Sequence, residues 1–193
     1  DYDGDGTDDI AVYRASRGVD PSRWYIRLSA GGRADRDFGW VGDQPVPGDY
    51  NGDETNDLAV YRPSDGVSES MWFITSPTGR VDHTFGWVGD QPVPGDYDGD
   101  NKTDVAVFRP ANGTWYINKS NGSGIVTQSW GQAGDTPVPG DYDLDGADDI
   151  AVYRAGSWHI LRSSDGEKMV GRGPFIVGLP SDTVIGGRAT PQY

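Results

Sequence analysis

Asp1-Tyr-Asp-Gly-Asp-Gly-Thr-Asp-Asp-Ile-Ala-Val-Tyr-Arg14 joins nine residues of acids and turn formers to a five-residue strand pattern. The same pattern returns at Asp49 to Arg62, Asp96 to Arg109 and Asp141 to Arg154, at spacings of 48, 47 and 45 residues. Four copies at this period indicate a repeat architecture, in which each unit is one small structural element that hides its apolar face against a neighbour. An aromatic strand follows each copy: Trp24-Tyr-Ile26, Trp72-Phe-Ile74, Trp115-Tyr-Ile117 and Trp158-His-Ile160. An aromatic-Gly step comes next at Phe38-Gly39, Phe85-Gly86 and Trp130-Gly131, and three runs then end in Pro-Val-Pro-Gly-Asp-Tyr.

This order predicts four short strands per unit: one before the acidic loop, one after it, the Trp strand, and an outer strand reaching the aromatic-Gly step. Units of this length with four strands suit the blades of a β-propeller. No window has the i, i+3, i+4, i+7 apolar spacing of a helix, which excludes helical solenoids and leaves a linear β-stack as the rival. The expected fold is all-β: one repeat domain over 1–193, with four blades at about 1–48, 49–95, 96–140 and 141–187 and a tail at 188–193. Repeat one lacks its leading strand, whereas Asp182-Thr-Val-Ile-Gly-Gly187 aligns with Asp43-Gln-Pro-Val-Pro-Gly48. Residues 183–187 are therefore expected beside 10–14, closing the ring and removing two exposed sheet edges. A piece of a longer array, or a strand exchanged between chains of a homo-oligomer, explains the same surplus.

Composition narrows the chemistry. The chain has 29 Gly, 13 Pro, 7 Trp and no Cys, which excludes disulfides, thiolate metal sites and a cysteine nucleophile. A formal charge of −14 argues against nucleic acid and anionic membranes as partners. No apolar run approaches the ~18 residues of a membrane span, so membrane insertion is not expected.

The acidic loops have the form Asp-x-(Asp/Asn)-x-Asp-x-x-x-Asp: Asp1, Asp3, Asp5 and Asp9; Asp49, Asn51, Asp53 and Asp57; Asp96, Asp98, Asp100 and Asp104; Asp141, Asp143, Asp145 and Asp149. Alternate side chains of a tightly curled loop converge, and a backbone carbonyl at the seventh position (Thr7, Thr55, Lys102 or Ala147) adds an oxygen toward the six to eight that calcium takes. These loops hold 15 of the 30 acids, and the other 15 nearly balance the 16 Lys and Arg, so the net charge is that of the proposed sites. Up to four Ca2+ ions, one per repeat, are expected. An EF-hand fits less well, because the twelfth position is Val12, Val60, Val107 or Val152 where a bidentate Glu belongs. With only His83 and His159 and no thiol, transition metals fit poorly as well. Loop two departs most, with Asn51 for an acid and Glu54 where Gly eases the turn; the expected order of affinity is four, three, one, two.

With these residues in view, Pro-Val-Pro-Gly-Asp-Tyr-Asp-Gly-Asp followed by an Ala-Val-Tyr/Phe-Arg strand resembles the FG-GAP/VCBS repeat family. The resemblance covers nearly the whole chain. It implies calcium loops between the first two strands of each propeller blade, in secreted or surface proteins that bind glycans or other proteins, or that accompany enzymes. Larger rings than four repeats are usual in the family.

Residues found in every repeat are those a repeat fold requires, so features of only some repeats are the better functional candidates. Trp24, Trp72, Trp115 and Trp158 are read as packing between blades, with sugar stacking the lesser alternative; Arg14, Arg62, Arg109 and Arg154 recur alongside Asp43, Asp90, Asp135 and Asp182 and are read as a structural ion-pair ring, with an anion site the lesser alternative. Repeats one and two alone carry Trp40 and Trp87, where repeat three has Gln132, and long loops at 15–23 and 63–71. Exposed indoles beside extended loops suit the C–H faces of sugar rings; recent duplication of one blade explains the same pattern. No catalytic residues are assigned, since neither histidine neighbours a nucleophile in a recognisable pattern. A carboxylate pair for polysaccharide cleavage stays an alternative, as does a structural or protein-interaction role in a larger secreted protein. The sequence thus points to a secreted, non-catalytic, calcium-binding adhesion module with a glycan or protein ligand.

Overall fold

The computed structural model describes residues 1–171, which contain strands, turns and no helix. They fall into two compact units, one spanning Asp1–Val88 and the other beginning at Gly89. In the first unit, β1 (Ile10–Arg14), β2 (Arg23–Arg27) and β3 (Arg36–Asp37) form one sheet; β4 (Gln44–Pro45), β5 (Leu58–Arg62), β6 (Met71–Ser76) and β7 (Gly79–Thr84) form a second. In the second unit, β8 (Gln91–Pro92), β9 (Val105–Arg109), β10 (Thr114–Asn118) and β11 (Ile125–Ser129) form a third sheet. The fourth contains β12 (Thr136–Pro137), β13 (Ile150–Arg154), β14 (Ser157–Leu161) and β15 (Lys168–Gly171). Every sheet is an antiparallel meander in chain order, the blade unit of a propeller, and the three complete blades have the four strands expected in the expected places. The first sheet has three strands, with β1 at its edge among the described residues. The ring-closing strand expected at 183–187, and Asp182 of the expected ion-pair ring, lie outside the described residues.

Burial explains the order of the strands. Ala59, Val60 and Tyr61 are all buried, as a strand enclosed on both faces requires, whereas β6 buries Trp72 and Ile74 and leaves the residues between them partly open. The outer strand β7 is mostly exposed, so its side chains, Gly79-Arg-Val-Asp-His-Thr84, are mostly polar. Prolines 45, 92 and 137 sit in two-residue strands at the sheet edge, where a missing N–H costs no ladder bond.

The recurring Trp is the centre of packing, as its recurrence suggested. Trp24 and Ile26 of the first sheet cluster with Val60 of the second, and Trp115 and Phe108 of the third cluster with Val152 of the fourth. Tyr61 meets Trp72 edge-on at 5.2 Å, with Tyr13 and Trp24 matching them at 5.0 Å. Each indole N–H is spent on the aromatic-Gly step: Trp24, Trp72 and Trp115 donate to the carbonyls of Phe38, Phe85 and Trp130 at 3.1, 3.1 and 2.8 Å. The glycine of that step is needed twice over. Gly131 has φ of +126°, and a Cβ there would press on the Phe108 ring at 3.1 Å.

Candidate functional site

Each complete acidic loop links the first and second strands of its sheet, and its two end carboxylates hold it in shape. The ninth position is fixed by the backbone, where Asp57, Asp104 and Asp149 donate N–H to the carbonyls of Gly48, Gly95 and Gly140 at 2.8, 2.7 and 2.8 Å. Its side chain turns inward and accepts the N–H of the loop tyrosine, from Tyr2, Tyr50, Tyr97 and Tyr142 at 2.7, 3.1, 2.9 and 3.0 Å. The tyrosine hydroxyl in turn donates to the Val46, Val93 or Val138 carbonyl at 2.8, 2.7 and 2.7 Å, which explains the Pro-Val-Pro-Gly-Asp-Tyr motif. The first-position carboxylate gathers N–H groups from the turn, such as Gly99 and Asn101 to Asp96, both at 2.8 Å. That turn requires left-handed backbone, carried without glycine by Glu54 (φ 67°), Asn101 (φ 63°) and Leu144 (φ 61°).

The third position differs. In loop three both oxygens of Asp98 are buried without a hydrogen-bond partner, and in loop four one oxygen of Asp143 is. Asp143 spends its other oxygen on the Ser164 hydroxyl at 2.5 Å, with the Arg162 guanidinium 3.7 Å away. Carboxylate oxygens converge to within 4.8 Å of one another in three groups among the described residues: Asp1, Asp3 and Asp5; Asp96, Asp98 and Asp104; Asp141, Asp143 and Asp145. Asp9, Asp100 and Asp149 stand outside these groups, and loop two forms none. Buried, negative and unpaired oxygens are what a hard divalent cation satisfies, so the residues present in loops three and four fit one. Burial, with the neighbouring acids Asp53 and Asp49, pushes Asp57 up to about 6; burial likewise takes Asp104 to about 6, and it also raises Asp98 and Asp149.

A brace from the hairpin between the Trp strand and the outer strand completes the loops, and sequence reasoning missed it. Ser29, Ser120 and Ser163 donate N–H to Asp9, Asp104 and Asp149 at 2.8, 2.7 and 2.7 Å, and their hydroxyls donate to Asp5, Asp100 and Asp145 at 2.8 Å. A serine five residues after each of those Trp residues was the available signal. Repeat two has Pro77 at that place, which offers neither donor. There Asn51 Nδ2 donates to both Asp57 oxygens, at 3.1 and 3.3 Å.

The expected ion pairs are present and structural. Arg62, Arg109 and Arg154 end their strands opposite Asp43, Asp90 and Asp135, whose side chains are almost wholly buried, at 2.7, 2.7 and 2.6 Å. The Asp43 carboxylate also accepts the Trp40 N–H at 2.8 Å, which fixes the turn bearing that indole. Trp40 is 51% exposed and lines a cleft of about 180 Å³ with Pro21, Phe38, Arg62, Phe73 and Arg80. Arg62 lies over the Phe73 ring at 4.5 Å and Arg80 over the same ring at 5.0 Å. The long loop of repeat one, through Pro21, and Trp40 thus meet at one place. Trp87 is similarly exposed, at 48%, but does not line this cleft.

No curated protein matches the chain. Residues 96–152 match the family model of the FG-GAP-like repeat. The match runs from the first aspartate of loop three, through the third sheet, into β13. That family assignment suggests a binding or structural module. Residues 96–152 are thus an FG-GAP-like repeat, and their acidic loop, Trp strand, Arg109 and Asp135 are parts of the pattern that recurs along the chain.

Proposed function

We propose that this chain is a calcium-stabilised, non-catalytic binding module of a secreted or surface protein, and that its ligand is a glycan held in the cleft at Trp40. The observation that carries the ligand reading is the half-exposed indole beside a cleft that also offers guanidinium donors and the Asp37 carboxylate. An indole face covers the C–H side of a pyranose while charged groups at the rim take its hydroxyls. Calcium is supported by the unpartnered oxygens of Asp98 and Asp143, which would hold it with the acids converging beside them. When bound, the ion supplies positive charge that these oxygens otherwise lack. Loop three, with both Asp98 oxygens open, is placed ahead of loop four, where Ser164, Arg162 and a left-handed Leu144 compete or strain.

A glycan array read with millimolar calcium tests the ligand. Retention of a glycan that is lost in Trp40→Ala and kept in Trp87→Ala is expected. Silence across the array moves the ligand to a protein partner, and turnover of a polysaccharide by the purified chain replaces binding by catalysis.

A further inference from the structure

The four loops share their first and ninth carboxylates and differ at the third position. In loops three and four that position carries buried oxygens with no hydrogen-bond partner. In loop two it carries Asn51, whose Nδ2 reaches both oxygens of the ninth-position carboxylate. The amide protons therefore stand where loops three and four leave carboxylate oxygen without a donor. One further observation, independent of the amide, agrees. Pro77 removes the brace that elsewhere donates to the fifth and ninth carboxylates, so Asp57 depends on Asn51 for those bonds. Turning the amide to offer Oδ1 to a cation would remove both Asn51 bonds from Asp57, leave it the Tyr50 N–H, and set oxygen against oxygen, with nothing from Pro77 to replace what is lost.

We infer that loop two is closed by its own Asn51 amide and takes no cation, so that the chain carries three calcium sites, in loops one, three and four, and one loop that is cation-free. This inference rests on the calcium reading of the other three loops. Its consequence is that the second sheet, which supplies Val60, Arg62, Phe73 and Arg80 to the cleft, is anchored without calcium.

Two measurements on the full chain test it. Calorimetric titration with Ca2+ is expected to count three sites in the wild type and four in Asn51→Asp/Pro77→Ser, which restores the carboxylate and the brace together. Amide exchange of the wild type, which needs no variant to fold, is expected to show the Tyr50 and Glu54 amides equally protected with calcium and with excess chelator. Tyr97 and Asn101, their counterparts in loop three, should lose protection at least tenfold on chelation. A wild-type count of four, or loop-two amides that open on chelation in step with loop three, overturns the inference and leaves the calcium reading intact. A count of zero removes both.

Discussion

Replacing Asp98 by Asn gives loop three the third-position residue of loop two, and the structure fixes the sign of the outcome under each condition. Without calcium, Asp98 is a carboxylate with two buried oxygens that lack a well-formed hydrogen bond, close to the acids at 96 and 104 and offset in part by the Lys119 charge and the Asp100 backbone. Leaving one such buried group unsatisfied costs roughly 1–3 kcal/mol. An asparagine removes the charge and can donate to Asp104 as Asn51 does to Asp57, so about 2 kcal/mol should return to the cation-free protein. In a chain of this size 1 kcal/mol shifts the melting midpoint by roughly 2–4 °C. Asp98→Asn should therefore melt about 4–8 °C above the wild type in excess chelator. Calcium at millimolar concentration and a dissociation constant of ~10⁻⁴ M adds roughly 1.4 kcal/mol per site. The variant forgoes that contribution at loop three, so its advantage should shrink by about 3–6 °C when calcium is present. Scanning calorimetry of both proteins under both conditions gives the four midpoints required. If the variant melts below the wild type in chelator, or if calcium leaves the difference unchanged, the reading of Asp98 as a cation-demanding oxygen pair is wrong.

Two other outcomes follow from the same geometry. In chelator, the midpoint should rise as pH falls from 7 toward 5: Asp57 and Asp104 sit at about 6 in the folded chain, against the ordinary carboxylate value of 3.8, so the native state takes up protons first. That gain levels off below about pH 4, and with calcium the Asp104 part reverses because a ligand must shed its proton for the ion to bind while the Asp57 part, in loop two, stays, a contrast that melting scans across pH check. Asp135→Ala should cost about 3 kcal/mol in urea unfolding, since it strands Arg154 and the Gln132 N–H, which the buried carboxylate holds at 2.6 and 2.9 Å; a loss under about 0.5 kcal/mol would show the pair to be idle.

The parts of this fold that sequence reveals are those that repeat. Four loop copies, four Trp strands and the recurrence of Arg and Asp disclose strand number, strand order and the existence of Arg–Asp ion pairs, because each obeys a local rule of alternation or register, whereas which Arg meets which Asp is seen only in the structure. The Ser brace escaped notice although it also recurs: its hydroxyl acts on a loop 18 to 24 residues earlier in the chain, and a serine in a turn looks like any other turn former. Asn51 was visible as a weakened ligand, but its bond to Asp57 was not, since an amide reads equally well as a calcium oxygen or a proton donor until its neighbours are placed. Trp40 and Trp87 are indistinguishable by pattern. Only the cleft, built partly by Pro21 from a loop of repeat one, separates them.

The charge of the chain overstates its demand for cations, and the loops explain why. Fifteen carboxylates lie in the four loops. Those at the first and ninth positions are already surrounded by backbone N–H groups, and three of the four at the fifth position accept a serine hydroxyl. A carboxylate that accepts several N–H bonds is stabilised in place without any ion. In loops three and four the unmet demand falls on the third position, where hydrogen-bond donors are missing. One exchange at that position therefore removes the unmet demand without disturbing the frame that the first and ninth residues maintain. Loop two has that exchange, and it keeps the Tyr50 bonds to Asp57 and Val46 and the strand pairing found in its neighbours. The unmet demand for positive charge thus differs from loop to loop among the described residues, independently of the Trp and Arg–Asp contacts that make the sheets.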